Sequence, residues 1–383
     1  MNKYLLSIFA FIGFATAAPV TLPQDISFTD GATSWTWDNV AVSGGGLTVE
    51  DGEFKGLSDA YDSHAYLSVD GVMYSPSVNA DLSDISVNST VIGKLLTTDT
   101  VVMSGLNVTR KILFFNTAKE QSAVARDITI LQNPTNAPIS IAVAWGGNLG
   151  SDGSTAVRGN SNGTSSFDVK DIWVITSDDS TNPSDPVLGH VAQGKSCVVN
   201  RPAGSVLLED NAFHLFNLTI PAGDTLSVVN ILQMSDTNAN GISAASVIFG
   251  SLDGPTNAGI FADLTDEEKD QIVNFGFSDC KADYRALVTD ALKKVKKQIA
   301  LGKSGKAAVT ATNLADAEAQ KYGDEITLRT GKTEAVFLKA SKASVSAVKA
   351  AAKAGKTNSS DFEALKTKAQ RSLNTLLKKI VAE

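Results

Sequence analysis

The feature that most constrains this chain is a break in texture near residue 280. Before it, β-branched and aromatic residues alternate with polar ones, punctuated by Gly, Asn, Asp and Pro. After it the chain is rich in Ala and Lys and contains no Pro. Charge breaks at the same place. Residues 281–383 hold 21 Lys/Arg against 10 Asp/Glu, a balance of +11, and residues 1–280 hold 12 against 31, a balance of −19. Two compositional regimes predict two structural units. A short apolar leader over 1–17 precedes a β unit over 18–279, and a helical unit occupies 280–383.

The first unit reads as a large antiparallel β-sandwich. Ile139, Ile141, Val143 and Trp145 alternate with Ser140, Ala142 and Ala144, the period of two expected of a half-buried strand. Ile128 to Leu131 is a second β-rich run, separated from the first by Asn133-Pro134-Thr135-Asn136-Ala137-Pro138, which must turn. Asp70-Gly71 between Tyr66–Val69 and Val72–Tyr74 is a hairpin signal. Phe216, Leu218 and Ile220 alternate up to Pro221-Ala222-Gly223-Asp224, and Leu226, Val228 and Ile231 continue beyond it. Short strands at this spacing, without helix-period segments between them, predict a sandwich. One helix closes the unit. Thr265-Asp266-Glu267-Glu268 is a capping box, Ile272, Val273 and Phe275 supply the apolar side, and Gly276 is the stop.

The second unit reads as a small helical bundle. Tyr284, Leu287, Val288, Leu292, Val295 and Ile299 recur at steps of three and four up to Gly302. Ser360-Asp361-Phe362-Glu363 is another capping box, opening a stripe of Phe362, Leu365, Ala369, Leu373, Leu376 and Ile380. Helices around Leu314–Tyr322 and Thr333–Ala354 fill the interval.

The N-terminus predicts export. Lys3 precedes an apolar run, Tyr4 to Phe14, and Ala15-Thr16-Ala17 is a small-x-small cleavage site, so cleavage is expected after Ala17. The run is too short to cross about 30 Å of hydrocarbon, so no transmembrane anchor is expected. The expected location is extracellular, or periplasmic or at the cell surface in a bacterial host. In such a compartment Cys197 and Cys280 suit one disulfide, and two buried free thiols are the alternative. Five N-x-S/T sequons, at Asn88, Asn107, Asn162, Asn217 and Asn358, would lie on the surface in a glycosylating host.

Several short segments carry a resemblance. They are Leu57-Ser58-Asp59-Ala60-Tyr61-Asp62, Thr109-Arg110-Lys111, Gln132-Asn133-Pro134-Thr135, Gly147-Asn148-Leu149-Gly150-Ser151-Asp152 and Ile220-Pro221-Ala222-Gly223. Over about residues 35–275 the chain resembles a family of large sandwich domains in uncharacterised, mostly bacterial, secreted proteins. The resemblance implies the β fold and no catalytic residues, and it leaves the helical unit uncovered.

Chemistry-bearing motifs are sparse. The net charge of −8 argues against a nucleic-acid binder, and two Cys and three His exclude a Cys/His zinc framework. His64, His190 and His214 are the available imidazole bases, and none lies in a G-x-S-x-G elbow. Ser63-His64 beside Asp59 and Asp62 is the best local cluster, with a chance grouping in a polar loop as the competing reading. Asp236-Thr237-Asn238-Ala239-Asn240-Gly241 matches the first half of a calcium loop, so Asp236, Asn238 and Asn240 are the Ca²⁺ candidates. Its twelfth position is Val247 rather than a bidentate Glu, and an ordinary polar turn competes. The Asp178–Pro186 loop is a second acidic segment. Trp35, Trp37, Trp145 and Trp173 suit either a core or a glycan-binding row. The expectation is a secreted, non-catalytic binding or cell-surface structural protein, recognising a glycan or an anionic surface polymer. The alternative is an extracellular hydrolase or lyase of carbohydrate, with a carboxylate pair in a sandwich cleft.

Overall fold

The computed structural model describes residues 12–14, 18–21, 25–38, 47–75, 79–87, 90–118, 121–195, 198–277, 367 and 371. The chain divides into two units, Met1–Phe277 and Ser278–Glu383. Of the second, only Thr367 and Arg371 are described, both helical. The expected bundle, Cys197 and Cys280 lie outside the described residues, as do Asn88 and Asn358.

The described part of the first unit is mainly antiparallel β-sheet. Its strands run β1 (Ile12–Phe14), β2 (Ala18–Thr21), β3 (Ile26–Asp30), β4 (Thr33–Asp38), β5 (Thr48–Phe54), β6 (Tyr66–Val69), β7 (Val72–Met73), β8 (Asn79–Val87), β9 (Thr90–Thr98) and β10 (Val101–Met103). They continue as β11 (Leu106–Ala118), β12 (Ser122–Gln132), β13 (Ile139–Asn148), β14 (Ala156–Asn160), β15 (Val174–Ser177), β16 (Val187–Val191), β17 (Gly204–Leu208), β18 (Asn211–Ile220) and β19 (Thr225–Ser235). Helices α1 (Asn238–Phe249), α2 (Gly254–Asn257) and α3 (Asp266–Gln271) follow.

The strands form three sheets. An 11-stranded sheet has the order β1-β8-β9-β11-β12-β19-β16-β15-β14, with β2 also on β8 and β10 on β11. A five-stranded sheet has the order β17-β18-β13-β6-β7, and β3-β4-β5 form the third. β1 lies inside the expected leader and pairs with β8. β2 pairs with the same strand, so cleavage after Ala17 would remove one edge strand and leave the rest of the sheet.

Two cores flank the long sheet. On one side Trp35, Trp37, Phe114, Trp145, Phe216 and Leu232 join residues from all three sheets. On the other, Val124, Ile128, Val229 and Ile231 pack under Ala244, Ile248, Phe261 and Phe275. The central strands β12 and β19 are therefore buried on both faces. Alternation along β12 assigns Ala123 and Ala125 to the first core and Val124 and Ile128 to the second.

The expected turns are present. Asp70 (φ 51°) and Gly71 (φ 77°) both take positive φ, as a two-residue hairpin between β6 and β7 requires. The 133–138 and 221–224 turns instead carry the chain from one sheet to the other. Asn133 knits them together. Its amide nitrogen donates to the carbonyls of Ala137 at 2.8 Å and of Ile220 and Pro221 at 3.0 Å, and its backbone N–H reaches Asp224 at 2.9 Å.

Two helical expectations are corrected. Residues 238–249 form a helix capped by Thr237, although no helix-period segment was expected there. Its buried positions Gly241, Ala244, Ala245 and Ile248 have helical spacing, but small residues carry almost no hydrophobic signal. The capping box at Thr265 forms as expected, yet the helix stops at Gln271 and Ile272 is extended. The reason lies in β19, whose Ser227–Val229 backbone extends past the end of β16. Ile272 bridges Ser227 in parallel, and the Asn274 side chain exchanges hydrogen bonds with both the N–H and carbonyl of Val229.

A buried ion pair ties this layer down. Arg126 Nη1 and Nη2 reach Asp263 at 2.5 and 2.8 Å, and Nη1 also donates to the Ile260 carbonyl. Both side chains are essentially inaccessible. Asp263→Ala strands a buried cation and should destabilise the fold by about 3–5 kcal/mol in denaturant unfolding. The Arg126→Met/Asp263→Leu double variant should recover most of that loss.

Candidate functional site

All three histidines of the chain meet in one buried aromatic chamber, although residues 64, 190 and 214 are remote in sequence. The His64 ring centroid lies 5.1 Å from Trp145, 5.5 Å from Tyr61 and 5.9 Å from His190. Phe167 closes the other side, 5.6 Å from His190 and 5.2 Å from His214, and Trp145 stacks on His214 at 6.5 Å. His190 Nε2 meets Thr176 Oγ1 at 2.8 Å, and His214 Nδ1 meets Ser205 Oγ at 2.9 Å.

Strand alternation supplies Trp145 and His214, which are cross-strand partners on β13 and β18. The Lys55–Ala65 loop supplies His64. Asp59, Ser63 and Ala65 all take positive φ, near 70°, so the loop reverses tightly and throws Tyr61 and His64 inward. Glycines let it approach. A Cβ on Gly147 would lie 2.4 Å from the Ser63 carbonyl oxygen, and one on Gly150 only 1.9 Å from that of Asp59. The Ser63-His64 cluster is thereby split, because Ser63 Oγ turns to Glu50 at 2.8 Å while His64 points into the core.

The chamber rests on a second buried ion pair. Asp127 receives Arg110 through Nε at 3.3 Å and through Nη2, and Trp145 Nε1 donates to it at 2.7 Å. Arg110 also donates to the carbonyls of Leu47 and Ala65, and it packs over the rings of Trp37 and Tyr74. Burial pushes the Tyr74 and Tyr61 hydroxyls up.

Burial is also the main influence on the imidazoles. It pushes His64 down to about 4, against the opposing effect of the Gly147 backbone. His214 falls to about 3 through burial and then the nearby His64. His190 falls well below its usual value through burial and the other two rings. All three are therefore neutral at pH 7, serving as aromatic packing with polar edges.

The calcium candidates form the start of a helix. Asp236 accepts Lys55 Nζ at 3.0 Å and the Asn240 amide at 2.6 Å. Asn238 accepts Ser177 Oγ at 2.9 Å and donates to the carbonyls of Asp179 and Ser180. The side-chain oxygens of Asp236 and Asn238 are thus turned toward protein donors, and Thr237 caps the Asn240 N–H. This joins the motif to the second acidic loop. There Asp179 accepts the N–H groups of Thr181 and Asn182, which hold its carboxyl down at about 2, and Asp178 accepts Ser184. All four tryptophans are buried. Among the described residues, no group of three or more His, Cys, Asp or Glu is arranged to hold a metal ion, and no helix is long and apolar enough to cross a membrane.

No family model matches the chain, and no curated protein matches it. Solved structures overlap it partially. Heparan sulfate lyase HepC from Pedobacter heparinus matches with a TM-score of 0.36 at 14% identity, over 58% of this chain and 37% of the lyase. A putative aldose 1-epimerase from Klebsiella pneumoniae gives 0.34 at 7%, over 61% of this chain and 94% of that one. A putative kojibiose phosphorylase from human microbiome gives 0.32 at 10%, over 63% and 33%. This chain therefore spans little more than a third of the lyase, and no residue role is transferred from any of the three.

The chamber makes the fold acid-sensitive. Unfolded imidazoles titrate near 6.5, and the buried ones only at lower pH. The stability gained by keeping them neutral is complete above about pH 6.5 and is lost as pH falls from there through the native values. With three such groups, the slope should approach about 4 kcal/mol per pH unit near pH 5. Guanidinium unfolding at several pH values measures it, and His64→Phe should remove about a third of the slope.

Proposed function

We propose that the chain is an exported, non-catalytic binding or cell-surface structural protein. In this reading a large antiparallel sandwich is followed by a helical unit, and the partner is an extracellular polymer such as a glycan. The placement of the chemistry-bearing side chains carries the reading. The imidazoles are packed as neutral core rings, and the buried carboxylates of Asp127 and Asp263 are each locked to an arginine. A hydrolase needs two carboxyls flanking one bond where a substrate arrives, and a lyase needs a proton-abstracting base there. Asp127 and Asp263 instead serve opposite faces of the long sheet. The buried tryptophans leave surface recognition to other side chains.

The leader motif and the resemblance over about residues 35–275 support export. The excess of 21 Lys/Arg over 10 Asp/Glu in residues 281–383 suits an anionic surface polymer. The enzyme reading keeps one specific candidate, Asp171. Burial raises its carboxyl despite hydrogen bonds from the Asp168 backbone and Asn162 side chain, and the Asp168 charge adds to the rise. That is the direction a general acid requires.

Co-sedimentation and turnover assays on a panel of neutral and anionic polysaccharides test the reading. Retention without turnover is the expected result. Turnover that Asp171→Asn abolishes would replace it with the enzyme.

A further inference from the structure

The five-stranded sheet has an unusual outer face. Its strands β17, β18, β13, β6 and β7 contain 31 residues without one Asp, Glu, Lys or Arg, in a chain of net charge −8. Alternation along β18 turns Ala212, His214, Phe216, Leu218 and Ile220 inward and leaves Leu215, Asn217 and Thr219 exposed. Beside them stand Val206 and Leu208 on the edge strand β17, and β7 adds Met73 at the opposite edge, in register with Ser68. Met73 (38%), Val206 (49%), Leu208 (69%) and Leu215 (38%) are four of the nine large hydrophobic residues exposed among the described residues. Phe213 and Tyr66, both half-buried, lie on the same strands.

We propose that this face docks against the same face of a second copy of the chain. A two-fold interface sets residue i against j and j against i, with residues on the axis meeting their own counterparts, so a face of one charge sign would repel itself. An uncharged face on an acidic chain meets its own copy without like-charge repulsion, and the strands of this sheet are uncharged. The most exposed apolar side chains, Met73, Val206, Leu208 and Leu215, carry no rings and suit sheet-on-sheet packing.

The area reaches the lower bound for a specific contact. At roughly 3.3 Å per residue and 4.8 Å between strands, 31 residues cover about 500 Å² of flat sheet. Two copies would bury about 1,000 Å², the size at which specific interfaces begin. Acidic residues lie outside the strands, with Asp70, Glu209, Asp210 and Asp224 in the connecting turns. An uncharged centre with a polar rim is the ordinary anatomy of such an interface. The sequon at Asn217 falls on the same exposed row, so a glycan attached there would stand in the way.

The test is the mass of the full chain in solution, made in a host that leaves Asn217 bare. Light scattering and sedimentation equilibrium over about 1–100 μM should give twice the 40.1 kDa monomer mass, less twice the leader if it is removed. The dimer should persist at about 1 M salt, because charge does not hold it. Leu215→Lys should weaken association roughly tenfold or more by placing like charges in the contact. Val247→Lys, on the exposed side of α1, should leave it unchanged. Val206→Glu is the second interface variant, should Leu215→Lys fail to give the parent circular dichroism spectrum. A monomer across the whole range overturns the pairing and leaves the face to a different partner. A dimer that a correctly folded interface variant does not weaken, or that salt alone dissociates, also overturns it.

Discussion

The Arg110–Asp127 ion pair is the constraint around which the sheets are arranged. Taking both charges out of water costs several kcal/mol, and that cost is offset only if every donor and acceptor finds a partner. The partners come from separate parts of the fold. Arg110 and Asp127 sit on adjacent strands of the long sheet, and Trp145 reaches in from the five-stranded sheet. Leu47 lies just before the three-stranded sheet's last strand, and Ala65 just before β6. Moving any layer would strand a buried charge. The pair thus sets where the layers sit as well as how strongly they hold.

That arrangement explains why the histidines behave as core residues. Asp127 fixes the Trp145 indole, and the indole provides a wall for His64 and His214. The loop that delivers His64 holds non-glycine residues in the left-handed region, each costing on the order of 1–3 kcal/mol. Burial of Tyr61 and His64 against a glycine-lined strand compensates for this. The local strain is an expense of filling the chamber from a loop when no strand is available at that position.

Much of the strand content was legible, and the reasons are local. Ile139–Trp145 alternates because one face is buried, and Asp70-Gly71 turns because both residues tolerate positive φ. Sheet membership was not legible. A turn such as Pro221–Asp224 has the same residues whether it closes a hairpin or bridges two sheets, and Asn133 distinguishes the cases only through contacts 87 residues away. Helix α1 was hidden because Gly241, Ala244 and Ala245 form its buried face. The meeting of His64, His190 and His214 had no sequence signal at all. One sign is readable in the sequence: Arg126-Asp127 interrupts a largely apolar run, and a charged pair there points to buried partners on both sides of the strand.

Those two neighbours have a consequence for how the chain finds its register. Arg126 and Asp127 enter different cores, where Asp263 and Arg110 wait for them. A slip of β12 by a single residue would turn each to the wrong side, bringing guanidinium toward guanidinium and carboxylate toward carboxylate. Neutral alternation would merely lose packing in such a slip, whereas this dipeptide makes the misaligned sheet repel itself. The central strand therefore penalises its own misalignment.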